Sequence, residues 1–429
     1  MSKNLWALLG GAALVCVFGA VYLAGGNGPA GPVVLGVRGE FLLFALTLVG
    51  VALFHQHTLQ VALLGLSSIL LFKFAFVPSF QLVEHLHHEW NILLNLLGLL
   101  LGFALLAKHF EESRIPEILP RFLPDNWKGG FALLGIIFVL SAFLDNIAAA
   151  MIGGTIALVV FKGRVHIGYL AAIVAASNAG GAGSVLGDTT ATMMWIDGVA
   201  ATDVAHAYIA AVPCLFLFGI LASLKQHRFQ PIQKDEVGHH QVDWVKILVV
   251  ALILAGAIST NVLLDFPAAG VWAAILIGSL FCKTAWGEIP VALKGSLFLI
   301  SLVLCASMMP VDQLPAPSWQ SAFALGFISS VFDNIPLTKL ALDQGGYDWG
   351  VLAYTVGFGG SMIWFGSSAG VALSNLFPQA KSVGDWLKHG WPVVGAYVLS
   401  FFIMLALWGW QPHEPHKEDR SMPAGQVRH

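Results

Sequence analysis

Three aspartates, Asp145, Asp188 and Asp333, lie within long apolar segments of this sequence. An ionised carboxylate at the centre of a bilayer costs from about 2.5 to over 10 kcal/mol, so an acid in that position indicates a function. Asp145 and Asp333 are each followed by asparagine, and both residue types are favoured at helix N-termini. Helix capping alone is therefore an alternative, but a capping acid can also bind a cation or a proton. The pattern favours an ion-binding site.

A second polar set surrounds Asp188 in the sequence SNAGGAGSVLGDTT. Its oxygen-bearing side chains include those of Ser177, Asn178, Asp188, Thr189 and Thr190. Each glycine inside a helix costs about 1 kcal/mol, so this density of glycines predicts unwound backbone whose carbonyl groups are exposed. Close helix packing through small residues is the alternative, but it explains the glycines and not Asn178 or Asp188. The set favours a site for a hard cation such as Na⁺.

An internal repeat relates the two halves of the chain. It pairs Trp127–Asn146 with Trp319–Asn334, and Asn178–Ala191 with Gly357–Gly370. Asp188 then corresponds to Ser367, so the second half contributes Asp333, Asn334, Ser367 and Ser368 but only one acid. The motif GSSAG could contain a serine nucleophile, but no histidine stands nearby to activate it, and a hydrolase is disfavoured.

The elements that must position these residues are membrane helices. Of 429 residues, 57% are hydrophobic and 10% are charged, whereas a soluble protein has about 25% charged residues. The apolar runs are continuous, which favours helices over a barrel. The sequence predicts an all-α polytopic membrane protein with about eleven crossings. These lie near 5–24, 36–54, 58–79, 91–108, 167–196, 205–223, 245–263, 268–282, 291–309, 349–375 and 390–410.

Two further apolar segments, 130–161 and 319–343, each break at an Asp-Asn pair and predict re-entrant hairpins. With both hairpins re-entrant, the basic residues collect on one face, which the positive-inside rule makes cytoplasmic. The N-terminus is then cytoplasmic and the C-terminus periplasmic. The two halves are inverted relative to each other, as in secondary transporters whose site lies at the repeat interface.

The organisation predicted from these features has five parts. They are N-terminal helices (1–90), a first inverted repeat (91–224), a cytoplasmic loop (225–244), a second half (245–410) and a polar tail (411–429). Besides its hairpin, each half is expected to contain one broken helix, at 167–196 in the first and at 349–375 in the second. The four cysteines have no CxxC spacing, so neither a disulfide nor a metal site is expected. The sequence has no basic tract for nucleic acid, and the expected partner is the lipid bilayer.

Four motifs resemble those of the NhaD-type sodium/proton antiporters of the ion transporter superfamily. They are FLDNIAAA, SNAGGAGSVLGDTTATMMW, FDNIPL and GGSMIWFGSSAGVA, within residues 127–196 and 319–375. The resemblance implies a scaffold and a moving hairpin-bearing domain that work as an elevator. It also implies a homodimer, and a place in the bacterial cytoplasmic membrane.

The expected function is exchange of Na⁺, or Li⁺, for H⁺, with no enzymatic activity and no cofactor besides the transported ion. Sodium would bind at Asp145, Asn178, Asp188 and Asp333 while acids alternate between proton and cation. The oxygen shell would be completed, or the acids oriented, by Asn146, Ser177, Thr189, Thr190, Asn334, Ser367 and Ser368. The alternatives are a Na⁺- or H⁺-coupled carboxylate or other anion permease and a non-transporting membrane subunit or sensor.

Lys339 departs from the expected pattern because it follows Asp333 by six residues in the second hairpin. Its side chain is expected to snorkel to the surface; the alternative is pairing with a carboxylate, which would make Lys339 a counter-charge and favour an anionic substrate. The run EHLHHE at 84–89, which contains His85 and His88, has metal-ligand residue types. It lacks the HExxH spacing and is expected to be interfacial.

Overall fold

The computed structural model describes residues 26–28, 31–34, 36–54, 56–233 and 241–414. The first expected crossing, 5–24, and the tail beyond 414 lie outside the described residues. A small antiparallel sheet precedes the helices and has the order β1 (Gly26–Gly28), β2 (Gly31–Val34) and β3 (Val37–Arg38). The rest of the described chain is helical apart from its connections, as the sequence predicts.

The α-helices follow in one series along the chain. They are α1 Gly39–Leu53, α2 Thr58–Phe76, α3 Leu82–Glu112, α4 Ile115–Ile118, α5 Trp127–Ser141, α6 Asn146–Val160, α7 Ile167–Ala182, α8 Thr189–Asp197, α9 Ala201–Ala205, α10 Tyr208–Phe229, α11 Trp244–Leu264, α12 Pro267–Gly278, α13 Ile289–Ser307, α14 Trp319–Ser329, α15 Asn334–Gln344, α16 Trp349–Gly359, α17 Ser368–Leu376 and α18 Val383–Trp408.

Six helical segments in the described chain are long and apolar enough to cross a membrane, and together they make this an integral membrane protein. They are Thr58–Phe76, Leu82–Glu112, Ala201–Phe229, Trp244–Leu264, Trp286–Ser307 and Val383–Trp408. Shorter apolar helices, such as α5 and α6, accompany them. The total of eleven crossings stays a prediction.

Four helical segments are interrupted, and the interruptions coincide with the motifs. Breaks separate α5 from α6, α7 from α8, α14 from α15 and α16 from α17. The unwound backbone expected around Asp188 begins later than predicted, because Asn178, Gly180 and Gly181 still belong to α7. Unwinding is confined to residues 183–188, between the two helices.

The repeat is visible as two equivalent sets of contacts. Ser141 Oγ donates to the carbonyl of Ser177 at 2.5 Å, and in the second half Ser329 Oγ donates to the carbonyl of Val356 at 2.7 Å. The repeat alignment pairs Ser141 with Ser329 and places Ser177 opposite Val356. The end of the first helix of each pair is therefore fastened in the same way to the helix that precedes the next break.

Backbone contacts define two ends of the helix assembly. The connections at one end meet where Asp243 N donates to Ser113 O at 3.0 Å and Gln233 N donates to Val160 O at 2.8 Å. Because Lys246 pairs there with Glu112, we call this end the basic face. At the other end of α10, His413 Nε2 lies 2.9 Å from Asp203 Oδ2. We call that end the opposite face.

Two hydrophobic clusters fill the interior of the described chain. The smaller cluster joins α1 and α2 to one side of α13, for example through Phe72 and Leu302. The larger cluster contains most of the remaining helices, with α7 and α16 buried almost completely at its centre. The breaks after α7 and α16 thus lie among mostly buried residues, where protein groups surround their non-helical backbone.

Candidate ion-binding site

Each helix that follows a break has one of the predicted site residues at its N-cap. Asp145 occupies this position in α6, Asp188 in α8, Asp333 in α15 and Ser367 in α17. Asp333 Oδ1 accepts a hydrogen bond from Ile335 N at 3.0 Å, which is a regular capping contact. The positive ends of the helix dipoles therefore face these polar side chains.

A buried hydrogen-bond network connects the first helix pair to α7 and α8. The Nδ2 atom of Asn146 donates to Asn178 Oδ1 at 3.1 Å and to Asp188 Oδ1 at 3.2 Å. Asp188 Oδ2 also accepts from the hydroxyl of Thr190. Asn178 Nδ2 donates in turn to Ser361 Oγ at 2.9 Å, which brings in the second half of the chain. Sequence positions 183 residues apart meet in this network.

A cavity of about 340 Å³ lies beside this network. Its polar lining includes Asp145, Asp188, Thr189 and Thr192, and its apolar walls come from α3 and α13. It also reaches Glu288, immediately before α13. A space of this size accommodates a small cation with water molecules, and two carboxylates and two hydroxyl groups supply oxygen ligands.

The structure brings some of the predicted site residues together and gives others different contacts. Asn146, Asn178, Asp188 and Thr190 share the network, and Asp145 and Thr189 line the adjoining cavity. Ser177 Oγ instead donates to Val174 O at 2.9 Å, within its own helix. Ser367 Oγ accepts from Gly370 N at 3.3 Å as a cap.

Three residues of the second half lie at the breaks outside this network. Asp333 interacts electrostatically with Asp188, while Asn334 is the first residue of α15 and is buried. Ser368 opens α17 next to the capping Ser367. The first half thus provides most of the polar contacts described for the site, in keeping with the single acid in the second half.

Three residues were not among those predicted to form the site. Ser361 closes the network, and Thr192 and Glu288 line the cavity. Thr192 lies two residues after the last threonine of the GDTT motif and could have been included from its spacing. Ser361 and Glu288 are far from that motif in the sequence, so their approach depends on the packing of helices.

The expectation that Lys339 snorkels to the surface is wrong. The residue is 1% exposed, and its Nζ lies 3.0 Å from Glu89 Oε2 and 2.6 Å from Asp343 Oδ1. Glu89 is itself 4% exposed, so the prediction that the whole run 84–89 is interfacial is wrong for this residue. Glu84 and the histidines at 87 and 88 are exposed as expected. Two carboxylates compensate the lysine, so its burial is tolerated only as part of this cluster.

Curated proteins with related sequences are sodium/proton antiporters. Sodium/proton antiporter 1 of Arabidopsis thaliana is 27% identical over 64% of this chain, which spans 53% of the plant protein. The Na⁺/H⁺ antiporter NhaD of Vibrio parahaemolyticus is 27% identical, with 64% of this chain and 81% of the relative covered. For NhaD of Vibrio cholerae the identity is 26%, with 76% and 80% covered. No protein-family model matches the chain. The relatives confirm the resemblance seen in the motifs.

Proposed function

We propose that this chain, a relative of the NhaD-type sodium/proton antiporters, is a secondary active transporter that exchanges Na⁺, or Li⁺, for H⁺. The observation that carries the proposal is the cavity lined by Asp145 and Asp188 at two helix breaks. A buried carboxylate can hold either a proton or a cation, and competition between them couples the two fluxes. Asp333 serves the same exchange from the second half.

The hydrogen bonds of Asn146 involve two of the oxygen atoms proposed to bind sodium. Its amide donates to Asn178 and Asp188, whose oxygens are the ligands proposed for sodium. Buried polar groups without partners are costly, and the amide gives these two oxygens a hydrogen-bond partner. A cation that binds both oxygens replaces the amide, and Asn146 then turns away. The hydroxyls of Thr189 and Thr190 supply or orient further oxygen ligands.

The contacts of the two helix pairs support re-entrant hairpins in the proposed topology. A side chain at Gly129, near the start of α5, would meet Ile232, and Val160 at the end of α6 accepts from Gln233. Both ends of this pair therefore approach the same segment at the basic face. Beside the second pair, Gln344 Nε2 donates to Pro315 O at 2.8 Å. These contacts are expected if each helix pair enters and leaves the membrane on the same side.

On this topology the two repeats are inverted and the chain makes about eleven crossings. The hairpins 130–161 and 319–343 and the broken helices 167–196 and 349–375 form the moving part of an elevator transporter. The chain works as a homodimer in the cytoplasmic membrane of a bacterium. Its N-terminus is cytoplasmic and its C-terminal tail, residues 411–429, is periplasmic.

Lys339 pairs with carboxylates, which was expected from the sequence to favour an anionic substrate, but the number of its partners argues against the anion permease. An anion in the membrane needs a positive countercharge to offset its desolvation. The ammonium group of Lys339 is already paired with Glu89 and Asp343, so carboxylates of the protein already balance its positive charge. The cation antiporter therefore remains the function that the geometry supports better.

The experiment is flux measurement in proteoliposomes that contain the purified protein. An internal pH dye reports proton movement on addition of Na⁺, Li⁺ or K⁺, and labelled dicarboxylates are tested for uptake in the same vesicles. We expect proton movement with Na⁺ or Li⁺ and no dicarboxylate uptake. Asp188→Asn should abolish exchange, because the neutral amide of asparagine cannot balance the positive charge of a bound cation.

Glu84→Gln is the matched control, since Glu84 is exposed and distant in sequence from the breaks. It should exchange Na⁺ like the unmodified protein. Exchange by Asp188→Asn at both pH 6 and pH 8.5, or robust dicarboxylate uptake, would overturn the antiporter proposal. Size-exclusion profiles of the detergent-purified variants establish that a loss of exchange is not a loss of folding.

A further inference from the structure

A buried ionic cluster joins a long membrane helix to the second helix pair. It consists of Glu89 on α3 with Lys339 and Asp343 on α15. The Nζ atom of Lys339 lies 3.0 Å from Glu89 Oε2 and 2.6 Å from Asp343 Oδ1. Lys339 and Glu89 are almost completely buried, whereas the side chain of Asp343 is 24% exposed. Charges in this setting interact strongly because water screens them little.

The two ion pairs of the cluster differ in what they connect. Lys339 and Asp343 are four residues apart on α15, so this pair stays together in any rigid displacement of the helix. The pair between Lys339 and Glu89 joins residues separated by 250 positions and connects two helices. Only this second pair must separate if α15 moves along α3.

The cluster and the cavity lie at different levels of α3. The cavity lining on this helix extends from Leu96 to Ala107, and it continues to Glu288 on the neighbouring chain segment. Glu288 interacts electrostatically with Lys108 near the basic-face end of α3. Glu89 precedes Leu96 by seven residues, about 10 Å along the helix axis and away from the basic face. The cavity thus extends toward the basic face, and the cluster lies beyond its other end.

We propose that the Glu89–Lys339 ion pair is a lock that holds the protein open to the basic face and closed to the opposite face. The inference rests on the proposed function, since an exchanger must expose its site to the two sides in turn. Movement of α15 to the other state breaks the pair with Glu89, while Asp343 keeps Lys339 neutralised during the transition. Asp343 therefore makes the lock reversible.

Glu89→Gln tests the lock without leaving an unpaired lysine, because Asp343 still compensates Lys339. The reporter is the rate at which Ala292→Cys, on the cavity wall formed by α13, reacts with a hydrophilic maleimide from the basic face of inside-out vesicles. The native cysteines are replaced beforehand. Since hydrogen bonds between charged groups are the strong ones, we expect modification to slow by about ten-fold in Glu89→Gln. Glu84→Gln, an exposed change on the same helix, should leave the rate unaltered.

The direction of the change separates a lock from a purely structural ion pair. General loosening of the fold would expose the introduced thiol and accelerate its modification, whereas loss of the lock shifts molecules to the state in which the cavity is closed to this face. The exchanged pair Glu89→Lys with Lys339→Glu restores an interhelical attraction and should recover the rate lost in Glu89→Lys alone.

An unchanged or faster modification rate in Glu89→Gln would overturn the lock, as would an exchanged pair that reacts no better than Glu89→Lys. The reporter does not depend on ion flux. If the labelling result contradicts the lock while Na⁺/H⁺ exchange is intact, only the lock is wrong. If the labelling result supports the lock but the protein exchanges no Na⁺, only the proposed function is wrong.

Discussion

The break before Asp188 is packed against the first helix pair through a contact that requires glycine at position 187. A Cβ atom added to Gly187 would lie 1.8 Å from the carbonyl oxygen of Ser141 and 3.0 Å from the carbonyl carbon of Ala142. Both neighbours are backbone atoms, so a change of side-chain rotamer cannot relieve the clash. We predict that Gly187→Ala displaces the break.

The size of the effect follows from the required displacement. For ordinary van der Waals contact, the added Cβ atom and the carbonyl oxygen of Ser141 must lie about 1.5 Å farther apart than the present backbone allows. Asp188 is the next residue, so much of this movement reaches the carboxylate. Since a misplacement of about 1 Å in a reacting group costs roughly 100-fold in rate, we expect Na⁺-driven proton movement to fall about 100-fold. Overpacking costs about 1 to 3 kcal/mol of stability, which a well-packed domain can tolerate.

The assay is initial-rate exchange in proteoliposomes at several Na⁺ concentrations, with size-exclusion profiles of each variant. Gly135→Ala is the matched control, because Gly135 lies on α5 in the same helix pair and an added Cβ has open space around it. That variant should exchange at the unmodified rate. If Gly187→Ala exchanged as fast as Gly135→Ala, the contact would have no part in positioning Asp188.

Two further predictions address the second half and the tail. Gly366→Ala should also slow exchange, but less than Gly187→Ala, because its Cβ would lie 2.4 Å from the carbonyl oxygen of Ser330; the same flux assay measures this. Partial burial lowers the pKa of His413, but the carbonyl of Gln411 and the carboxylate of Asp203 outweigh it, and the pKa is raised above 6.5. The contact therefore stabilises tail docking fully below pH 6.5 and is lost as pH rises through the raised pKa. Hydrogen exchange of residues 409–414, corrected for intrinsic rates, should show this loss, and Asp203→Asn should remove it.

The positions of the breaks were predictable because they follow from local chemistry. Glycine and Asp-Asn pairs are unfavourable within apolar helices, so their presence identifies the interruptions directly. The sequence could not separate glycines that permit unwinding from glycines that permit close packing. Gly180 belongs to the second kind, since it is helical and a Cβ there would lie 2.0 Å from the carbonyl oxygen of Phe138.

Contacts between distant positions do not follow from residue types, spacing or hydropathy along the sequence. Asn178 meets Ser361 only because α7 packs beside the break that follows α16. Glu89 belongs to a polar run whose composition predicts an interfacial segment. Its burial depends on pairing with Lys339, which lies 250 positions away in the sequence. In both cases the partner that changes the interpretation is contributed by the other half of the chain.

The two repeats use the same backbone arrangement for different electrostatic purposes. Ser367 uses its oxygen as a cap on α17, whereas Asp188, at the equivalent position, accepts hydrogen bonds from Asn146 and Thr190. Asn146 is the first residue of α6, so in the proposed exchange a cation that replaces it at Asp188 would also release a contact between the first helix pair and α8. In the proposed exchange, binding of the cation and the position of this helix pair are therefore coupled through one amide. Ser367 is neutral, so at the equivalent position it offers no charge for a cation to balance.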